Sequence, residues 1–571
     1  MTSTRTVAAS FADEMLRGFA AANTDLVRIV DGGVVRRRAL PDGRVALVVG
    51  GGSGHYPGFA GVVGSGLAAG AACGNIFASP SAGQVFRVAQ AAQRGGGVLL
   101  VYGNYMGDAL NFGQAEERLR AVGIDTRTVR VTDDIASADA STRERRRGIA
   151  GDLVVFKLAG AAAESGANLD EVERIARRAN ERTRTLGVAF SGCTLPGATA
   201  PLFDVPAGRM AIGLGIHGEP GLDEVDVPTP EALAALLVSR IVAEAPAQPP
   251  SRVAIVLNGL GSLKYEELFV IFGYVLDEVT AAGLEVVAPE VGEFVTSLDM
   301  NGLSLTVTWL DPQLEALWAA PALSPAYRKI AVAAPDETTS EHPEIALPVL
   351  AAPEPNVSRA TVVQVAAIAC AVADMLERDE AELGALDALA GDGDHGIGMS
   401  RGAAAAATAA ERVANHGGGL VALLTEAGDA WAERAGGTSG ALWGIALTAA
   451  ASSLARETRV DVAAAGRAAQ AAVDAVVRLG GAQLGDKTLV DAAAPFAAEL
   501  AAAGARGASS RDAWAAAATQ ARTAASGTAQ LRPQVGRARA HVVRSIGHVD
   551  AGAESLARVI TTIAEELASA S

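Results

Sequence analysis

The hydrophobic positions in the first 330 residues come in short runs that end in glycine. Four such runs lie at 44–55, 96–108, 209–221 and 253–262. Between them lie stretches with helical spacing of apolar residues, such as 82–94. A strand, a glycine turn and a helix in repetition predict an α/β fold with a mostly parallel sheet, in which functional sites lie at the carboxyl ends of the strands.

The pattern changes between residues 333 and 357, which are rich in Pro, Glu, Ser and Thr and show no hydrophobic period. This segment is predicted to be a linker. Beyond it, residues 358–378 and 401–416 are strong helix formers, and β-branched runs are rare. The sequence therefore predicts an α/β domain at 1–332 and an all-α bundle or barrel at 358–571.

Composition narrows the class of protein. A chain of 571 residues is too long for one core, and its net charge of −17 without a long basic run argues against nucleic-acid binding. Its three cysteines, Cys73, Cys193 and Cys370, are isolated, so no disulfide framework is expected. The N-terminus lacks the apolar core of a signal peptide, and charge or Gly and Pro interrupt every apolar segment before the roughly 18 residues of a membrane span. We expect a soluble, cytoplasmic protein with no membrane partner.

An acidic loop is the sharpest chemical feature of the second half. Asp387, Asp392 and Asp394 fall within eight positions, between two helical segments. Three carboxylates this close repel one another, and a hard divalent cation such as Mg²⁺, which prefers oxygen ligands, relieves the repulsion. A solvated acidic turn explains the same spacing equally well.

Two glycine-containing segments of the second half precede helices. In 434–444, backbone N–H groups with Thr438 and Ser439 are typical of a phosphate cradle at a helix N-terminus, although a capped loop between helices fits as well. Segment 485–496 adds Asp486 and Lys487. No Walker A motif and no protein-kinase motif set occurs, so a nucleotide would bind in another way.

In the first half, polar residues follow several of the predicted strands. His55 ends a glycine-rich loop, Asp108 follows the next strand, and His217 lies in the turn after 209–212. An isolated histidine is more often structural than catalytic. Two histidines and an aspartate, each in a glycine-rich turn just past a strand, favour a site in one crevice.

The turn around His217 also matches the dinucleotide fingerprint G-x-G-x-x-G at Gly213, Gly215 and Gly218. That fingerprint requires a long helix starting at the turn. Pro220 interrupts the chain, and the next helix is delayed to about Pro230. We therefore predict no dinucleotide site.

Ten motifs, taken in order, resemble the dihydroxyacetone kinase family. GGGSGH, GNIFASPSAG, GNYMGDALNFG, RRGIAGD, GCTLPG and GLGIHGEPG are similar to its ketose-binding domain, and GDGDHGIGM, GGTSGALWG, GDKTLVDA and RSIGHVDAGA to its nucleotide-binding domain. The resemblance implies an N-terminal ketose-binding domain of two α/β subdomains, followed by an all-α helical barrel that binds ATP and Mg²⁺. The fused order resembles the single-chain, ATP-dependent members, and the family suggests a homodimer in which one chain's nucleotide domain could serve its partner's ketose domain.

The resemblance also implies residue roles. His217 would bond to the substrate ketone as a hemiaminal, which excludes polyols such as glycerol. Asp108 would accept the proton of the terminal hydroxyl, and His55 would orient or polarise the substrate. Gly52 and Ser79 would complete the pocket. Asp387, Asp392 and Asp394 would hold Mg²⁺ between the ATP phosphates. The remaining nucleotide-site residues would be His395, Gly437, Thr438, Ser439, Gly485, Asp486, Lys487 and Asp550.

The chain departs from the family beside His55, where GHYPGFAG replaces the usual GHEPAHAG. The HYP form resembles bacterial kinases of the four-carbon ketoses called erythruloses, and Tyr56 could offer its hydroxyl to the extra hydroxymethyl group. Alternatively, Tyr56 and Phe59 only tune packing. Segment 536–548 also lacks the family's Ser-Tyr pair.

These features favour erythrulose as the substrate, with dihydroxyacetone (glycerone) as the alternative. A non-catalytic ketose-binding regulator is a further hypothesis, but it predicts loss of the acidic triad or of Asp108, and all four aspartates are present. A lyase that cleaves FAD needs only the nucleotide half, so it stays open as a side activity.

Overall fold

The computed structural model describes residues 10–330, 354–535, 539 and 542–569. The chain forms two compact units, Met1–Glu341 and His342–Ser571, called here the first unit and the helical unit. Most of the predicted linker, residues 333–353, and part of the altered segment 536–548 lie outside the described residues.

The first unit begins with a six-stranded sheet in the order β1-β2-β4-β3-β5-β6. Strands β4, β3, β5 and β6 are parallel neighbours, while β1 and β2 are antiparallel. The strands are β1 (Val27–Val30), β2 (Gly33–Arg36), β3 (Ala46–Ser53), β4 (Gly70–Ile76), β5 (Val98–Gly103) and β6 (Thr126–Val131). The helices are α1 (Phe11–Ala22), α2 (Ala82–Ala92), α3 (Met106–Ala121), α4 (Gly151–Ser165) and α5 (Leu169–Glu181).

Burial on both faces explains why the central strands of this sheet read as continuous apolar runs. Every residue of β3 and of β5 is buried. Strands covered by helices on both faces need no polar alternation. The predicted strands at 44–55 and 96–108 and the predicted helix at 82–94 are therefore confirmed.

A second sheet has the order β11-β10-β13-β7-β8-β9, with β12 paired to β10. Its strands are β7 (Thr183–Ala189), β8 (Arg209–Ile212), β9 (Asp223–Asp226), β10 (Arg252–Gly259), β11 (Glu285–Val286), β12 (Glu290–Gly292) and β13 (Gly302–Trp309). Helices α6 (Pro230–Val242), α7 (Tyr265–Ala281) and α8 (Pro312–Ala319) and a small hairpin of β14 (Ala322–Leu323) and β15 (Arg328–Lys329) complete the unit.

The expectation of a mostly parallel sheet is wrong for this second sheet. The neighbours from β10 through β13, β7 and β8 to β9 are all antiparallel. Parallel strands need a crossover, usually helical, whereas residues 190–208 join β7 to β8 without a helix and β8 returns directly as β9. Because β8 leads into β9 and α6 starts only at Pro230, the helix that the dinucleotide fingerprint requires does not start at this turn.

In its described residues, the helical unit forms a ring of eight helices with two short helices outside it. Helix α9 packs on α11, each following ring helix packs on the next, and α18 packs back on both α16 and α9. The helices are α9 (Arg359–Arg378), α10 (Glu380–Asp387), α11 (His395–Asn415), α12 (Leu420–Ala435), α13 (Gly437–Leu454), α14 (Val462–Gly480), α15 (Val490–Ala505), α16 (Ser510–Gly527), α17 (Val542–Ser545) and α18 (Ala551–Ser569). The closed ring confirms the predicted helical barrel, and it encloses an apolar cavity of about 660 Å³.

Among the described helices, α9 alone is long and apolar enough to cross a membrane, judged by length and composition only. Core helices of soluble proteins satisfy the same criterion. Val362, Val372 and Leu376 of α9 are buried within the helical unit.

Candidate active site

Two histidines from the two sheets of the first unit meet face to edge. His55 lies just past β3, and His217 lies in the turn between β8 and β9. Their Nε2 atoms are 2.9 Å apart and their rings are perpendicular. The His55 ring is buried, and its Nδ1 lies 2.7 Å from the carbonyl oxygen of Thr296.

A carboxylate holds the other side of the His217 ring. Glu219 Oε1 lies 3.1 Å from His217 Nδ1, and Oε2 accepts the backbone N–H of His217 at 3.0 Å. Burial alone would raise the pKa of Glu219, but the hydrogen bond and charge of His217, together with Arg147, lower it to about 2. Glu219 is therefore ionised at neutral pH.

The hydrogen-bond acceptors around the two imidazole rings indicate which ring nitrogens carry a hydrogen. Each Nδ1 faces an oxygen acceptor, so each Nδ1 carries a hydrogen. The short contact between the two Nε2 atoms then requires one shared proton, because two lone pairs would repel. Burial and then the neighbouring His217 lower the pKa of His55 to about 3. The proton that the two Nε2 atoms share is therefore held only weakly by His55.

Two aromatic rings wall the histidine pair. Phe77 stacks on His55 at 5.0 Å between ring centroids and meets His217 edge-on at 5.1 Å. Tyr105 meets His217 edge-on at 4.9 Å. The motifs GNIFASPSAG and GNYMGDALNFG contain both aromatics, but the family resemblance implies roles only for Ser79 and Asp108 in them. Phe77 has a positive φ of 52°, which is uncommon for a residue other than glycine, and no periodicity signals that conformation.

Asp108 lies in the first turn of α3 and is largely buried. Burial raises its pKa to about 6, against the lowering effects of the Ser79 hydroxyl and of His217. Its Oδ1 is buried and accepts no hydrogen bond from the described residues. A carboxylate with an open acceptor and a pKa near neutrality suits a general base.

Gly52, near the end of β3, and Ser79, in the loop after β4, lie where these two segments touch. A Cβ atom on Gly52 would come within 2.6 Å of the backbone nitrogen of Ala78, so the loops meet only because residue 52 has no side chain. Ser79 in turn packs beside Gly107, at the start of α3. The structure therefore brings Gly52, Ser79, Asp108 and both histidines to one region of the first unit.

Tyr56 and Phe59, the residues that depart from the family pattern, point to different surroundings. The Tyr56 ring is half exposed and meets Phe19 of α1 edge-on at 5.9 Å. Phe59 lies 6.4 Å from His55 and occupies the space that a side chain on Gly51 would need. These contacts favour the packing interpretation for Tyr56 and place Phe59 closer to the site.

In the helical unit, the three predicted metal ligands come together. Carboxylate oxygens of Asp387, Asp392 and Asp394 lie within 4.8 Å of one another. Asp387 ends α10 and accepts the N–H of Gly393 at 2.8 Å. A side chain on Gly391 would overlap the Asp387 carboxylate. Three partly or fully exposed hard oxygen donors in a tight loop fit Mg²⁺ with phosphate and water as its other ligands.

The predicted phosphate cradle is the start of α13. Gly437, Thr438 and Ser439 form its first turn, and no side chain caps the free N–H groups there. His395 lies beneath this turn, buried, with Nε2 at 2.9 Å from Ser555 Oγ and Nδ1 at 3.4 Å from Ser439 Oγ. The structure thus gives His395 a supporting position under the cradle.

The GDK segment folds inward. Lys487 is 3% exposed, and its Nζ donates to the carbonyl oxygens of Ser545 at 2.6 Å and His548 at 2.9 Å. Asp486 accepts the N–H of Gln483 and remains partly exposed. Gly485, in the left-handed region with a φ of 100°, makes the turn. The Lys487 side chain therefore holds the chain near 545–548.

Asp550 occupies the start of α18. Its carboxylate accepts the N–H of Ala553 at 2.8 Å, as a helix cap does. Burial raises its pKa to about 6.

Replacing Lys487 with methionine is expected to destabilise the helical unit by about 2–4 kcal/mol, because buried carbonyl oxygens lose their charged donor. Thermal unfolding measures this loss, and Lys264→Met, at an exposed lysine, is the control. An unchanged unfolding midpoint together with a raised KM for ATP would show that Lys487 serves the nucleotide instead.

Two contacting imidazoles near a largely buried carboxylate, on one chain with a helical ring that presents a carboxylate triad, are an arrangement suited to a kinase of small carbonyl compounds. The Dak1 domain matches residues 17–326 and the DAK2 domain matches residues 389–565. The chain belongs to the dihydroxyacetone kinase family, in its single-chain form.

Known proteins resemble this chain over nearly its whole length. It is 52% identical to the L-erythrulose kinase of Pectobacterium atrosepticum, over 98% of this chain and 95% of that protein. It is 51% identical to the D-erythrulose kinase of Mycolicibacterium smegmatis, over 98% and 97%. Its structure resembles the dihydroxyacetone kinase of C. freundii in complex with AMP-PNP and Mg²⁺, with a TM-score of 0.60, 31% identity and 98% coverage of both chains.

Proposed function

We propose that this protein is an ATP-dependent ketose kinase that phosphorylates the terminal hydroxyl of erythrulose while His217 holds the substrate as a hemiaminal. The observation that carries the proposal is the His217 imidazole, which lies between His55 and Glu219 with both nitrogens engaged. Similarity to L- and D-erythrulose kinases at nearly equal identity supports a four-carbon ketose without selecting an enantiomer. Dihydroxyacetone is the alternative substrate.

The histidine pair can form the hemiaminal without gaining or losing a proton. The shared proton passes from His217 Nε2 to His55 Nε2, which frees the lone pair of His217 to bond to the ketone carbon. The π electrons of the carbonyl move to its oxygen, and that oxygen takes the proton from His55. His217 is then an imidazolium substituted at Nε2, and its Nδ1–H still donates a hydrogen bond to the Glu219 carboxylate.

The tethered substrate can then react at its terminal hydroxyl. Asp108 accepts the hydroxyl proton as the oxygen bonds to the γ-phosphorus of ATP and ADP leaves with the electrons of the broken P–O bond. Mg²⁺ held by Asp387, Asp392 and Asp394 would neutralise phosphate charge. Because the transition state of phosphoryl transfer is loose, positioning by the tether contributes more than the base.

The raised pKa of Asp108 predicts an acid limb in the pH profile of kcat. A carboxyl group whose pKa is raised to about 6 is protonated and inactive as a base below that pH, and ionised above it. We expect kcat to rise through pH 6 to a plateau. Asp108→Asn should lower kcat by about 100-fold or more and remove this limb. Persistence of the limb in Asp108→Asn would assign it to another group.

A coupled assay of ADP release tests the proposed function. D-erythrulose, L-erythrulose and dihydroxyacetone are compared with glycerol at equal concentrations of enzyme, ATP and Mg²⁺. The proposal expects ketose-dependent ADP release, fastest with an erythrulose, and none with glycerol. If none of the three ketoses stimulates ADP release, the proposal is wrong.

The cytoplasmic location and the homodimer are proposed on the family resemblance. Light scattering of the full chain measures the second: we expect a particle of twice the chain mass of 57.7 kDa.

A further inference from the structure

Behind His217, an ion pair crosses from one sheet to the other. Glu219, which holds both the ring and the backbone N–H of His217, lies 3.5 Å from a guanidinium nitrogen of Arg147. Arg147 also pairs with Asp134 at 2.9 Å, and Asp134 is buried. A chain of alternating charges thus runs from the His217 ring through Glu219 and Arg147 to Asp134.

The glycine pattern around His217 leaves room for this ion pair. A Cβ atom on Gly215 would overlap the Glu219 carboxylate and come within 2.5 Å of the Arg147 guanidinium. Gly213 and Gly218 have φ angles of 73° and 82°, a backbone conformation that favours glycine at both positions. Gly215 is not among the positive-φ residues, so its backbone conformation does not favour glycine in this way. The space that glycine leaves at position 215 is filled by the ends of the Glu219 and Arg147 side chains, so a Cβ atom there would displace this pair.

We propose that Glu219, anchored by Arg147, is the positioning residue that fixes the Nδ1–H tautomer of His217 and supplies the counter-charge for the cationic adduct, and that Gly215 is small to admit this pair. The inference rests on the proposed function, because the adduct is part of it.

The chemistry of the adduct explains why a charge is needed there. When Nε2 bonds to the ketone carbon, the ring becomes a permanent cation, whereas before the reaction it shares its proton with His55. The side chain of His217 is only 23% exposed, so water stabilises that cation poorly. Phe77, Tyr105 and His55 also face the His217 ring, and Asp108 lies close enough to interact with its charge. Glu219 is the carboxylate that contacts the ring directly, and Arg147, one step behind, keeps it oriented.

The discriminating variant is Glu219→Gln, which keeps the size of the side chain and an acceptor for Nδ1–H but removes the charge. We expect kcat/KM for the ketoses to fall by at least about 10- to 100-fold, the range found for groups that orient metal-ligating histidines. KM for ATP should not change. Glu224→Gln, at an exposed glutamate of β9 that pairs with Arg209, is the matched control.

NMR of the ketose carbon separates positioning from a structural role. With ketose labelled with ¹³C at the carbonyl carbon, the wild-type protein should show a bound signal in the region of sp³ carbons, and Glu219→Gln should lose most of it at an unchanged unfolding midpoint. Gly215→Ala perturbs the same pair without altering a charged group and should lower the signal likewise.

If Glu219→Gln keeps the wild-type signal and kcat/KM, the inference is wrong and the proposed function stands. If Glu219→Gln does not fold, a folded Gly215→Ala protein that keeps both decides in the same way. Absence of both the signal and ketose-dependent ADP release in the wild type would instead overturn the proposed function, and the inference with it.

Discussion

His217→Ala is expected to lower kcat/KM for ketoses by at least about 1,000-fold, since tethering a substrate in reactive geometry is worth several powers of ten in rate. The variant also loses the group that separates ketones from polyols. Its residual rate should therefore be similar for dihydroxyacetone and glycerol. Steady-state ADP release with both compounds measures the two effects together.

His416→Ala, at an exposed histidine that ends α11, is the control for this variant and should behave as the wild type. The prediction fails if His217→Ala keeps its kcat/KM for ketoses and still rejects glycerol. In that case the histidine pair would serve some other purpose than covalent capture.

The second large effect is expected at the acidic triad. Replacing Asp387, Asp392 or Asp394 singly with asparagine should lower kcat by about 100-fold or more, because charge neutralisation is a main contribution of the protein and metal to phosphoryl transfer. Half-maximal activity should require more Mg²⁺. Chelation of divalent cations should stop turnover of the wild type, and excess Mg²⁺ should restore it.

The chemistry of the first unit gives this experiment an internal control. Adduct formation uses no group of the triad, so the labelled ketose carbon should still bind in the presence of a chelator. Asp429→Asn, at an exposed aspartate of α12, should leave the Mg²⁺ dependence unchanged. Triad variants with the Mg²⁺ dependence of the wild type would place the metal elsewhere.

Much of this site could be predicted because its parts lie in short segments that follow strands. His55, Asp108 and His217 were each marked by a glycine-rich turn, and the structure brings all three together. Pro220 was sufficient to reject a dinucleotide site. The acidic triad was equally local, because its spacing alone places three carboxylates in one loop.

The residues that could not be predicted act through contacts between distant segments. Arg147 reaches Glu219 from another part of the chain, and no spacing connects the two. Lys487 is predicted at the nucleotide, which stays a prediction; the contacts of its side chain with the carbonyl oxygens of Ser545 and His548 are not signalled by any spacing. The antiparallel second sheet depends on a long connection without a helix, which the pattern of apolar runs does not reveal.

The limits of the linker and the side activity of FAD cleavage stay predictions. The linker limits at 333 and 357 fall at or beside undescribed residues, and the possible cleavage of FAD concerns the helical unit alone.

The central claim is that this protein binds a ketose covalently on His217 before phosphorylating it. The most direct test is ¹³C NMR of the full chain mixed with erythrulose labelled at its carbonyl carbon, without ATP. The account predicts a bound signal in the sp³ region for the wild type that is absent from His217→Ala. A bound ketose whose carbon stays in the ketone region, or an sp³ signal that survives in His217→Ala, would contradict it.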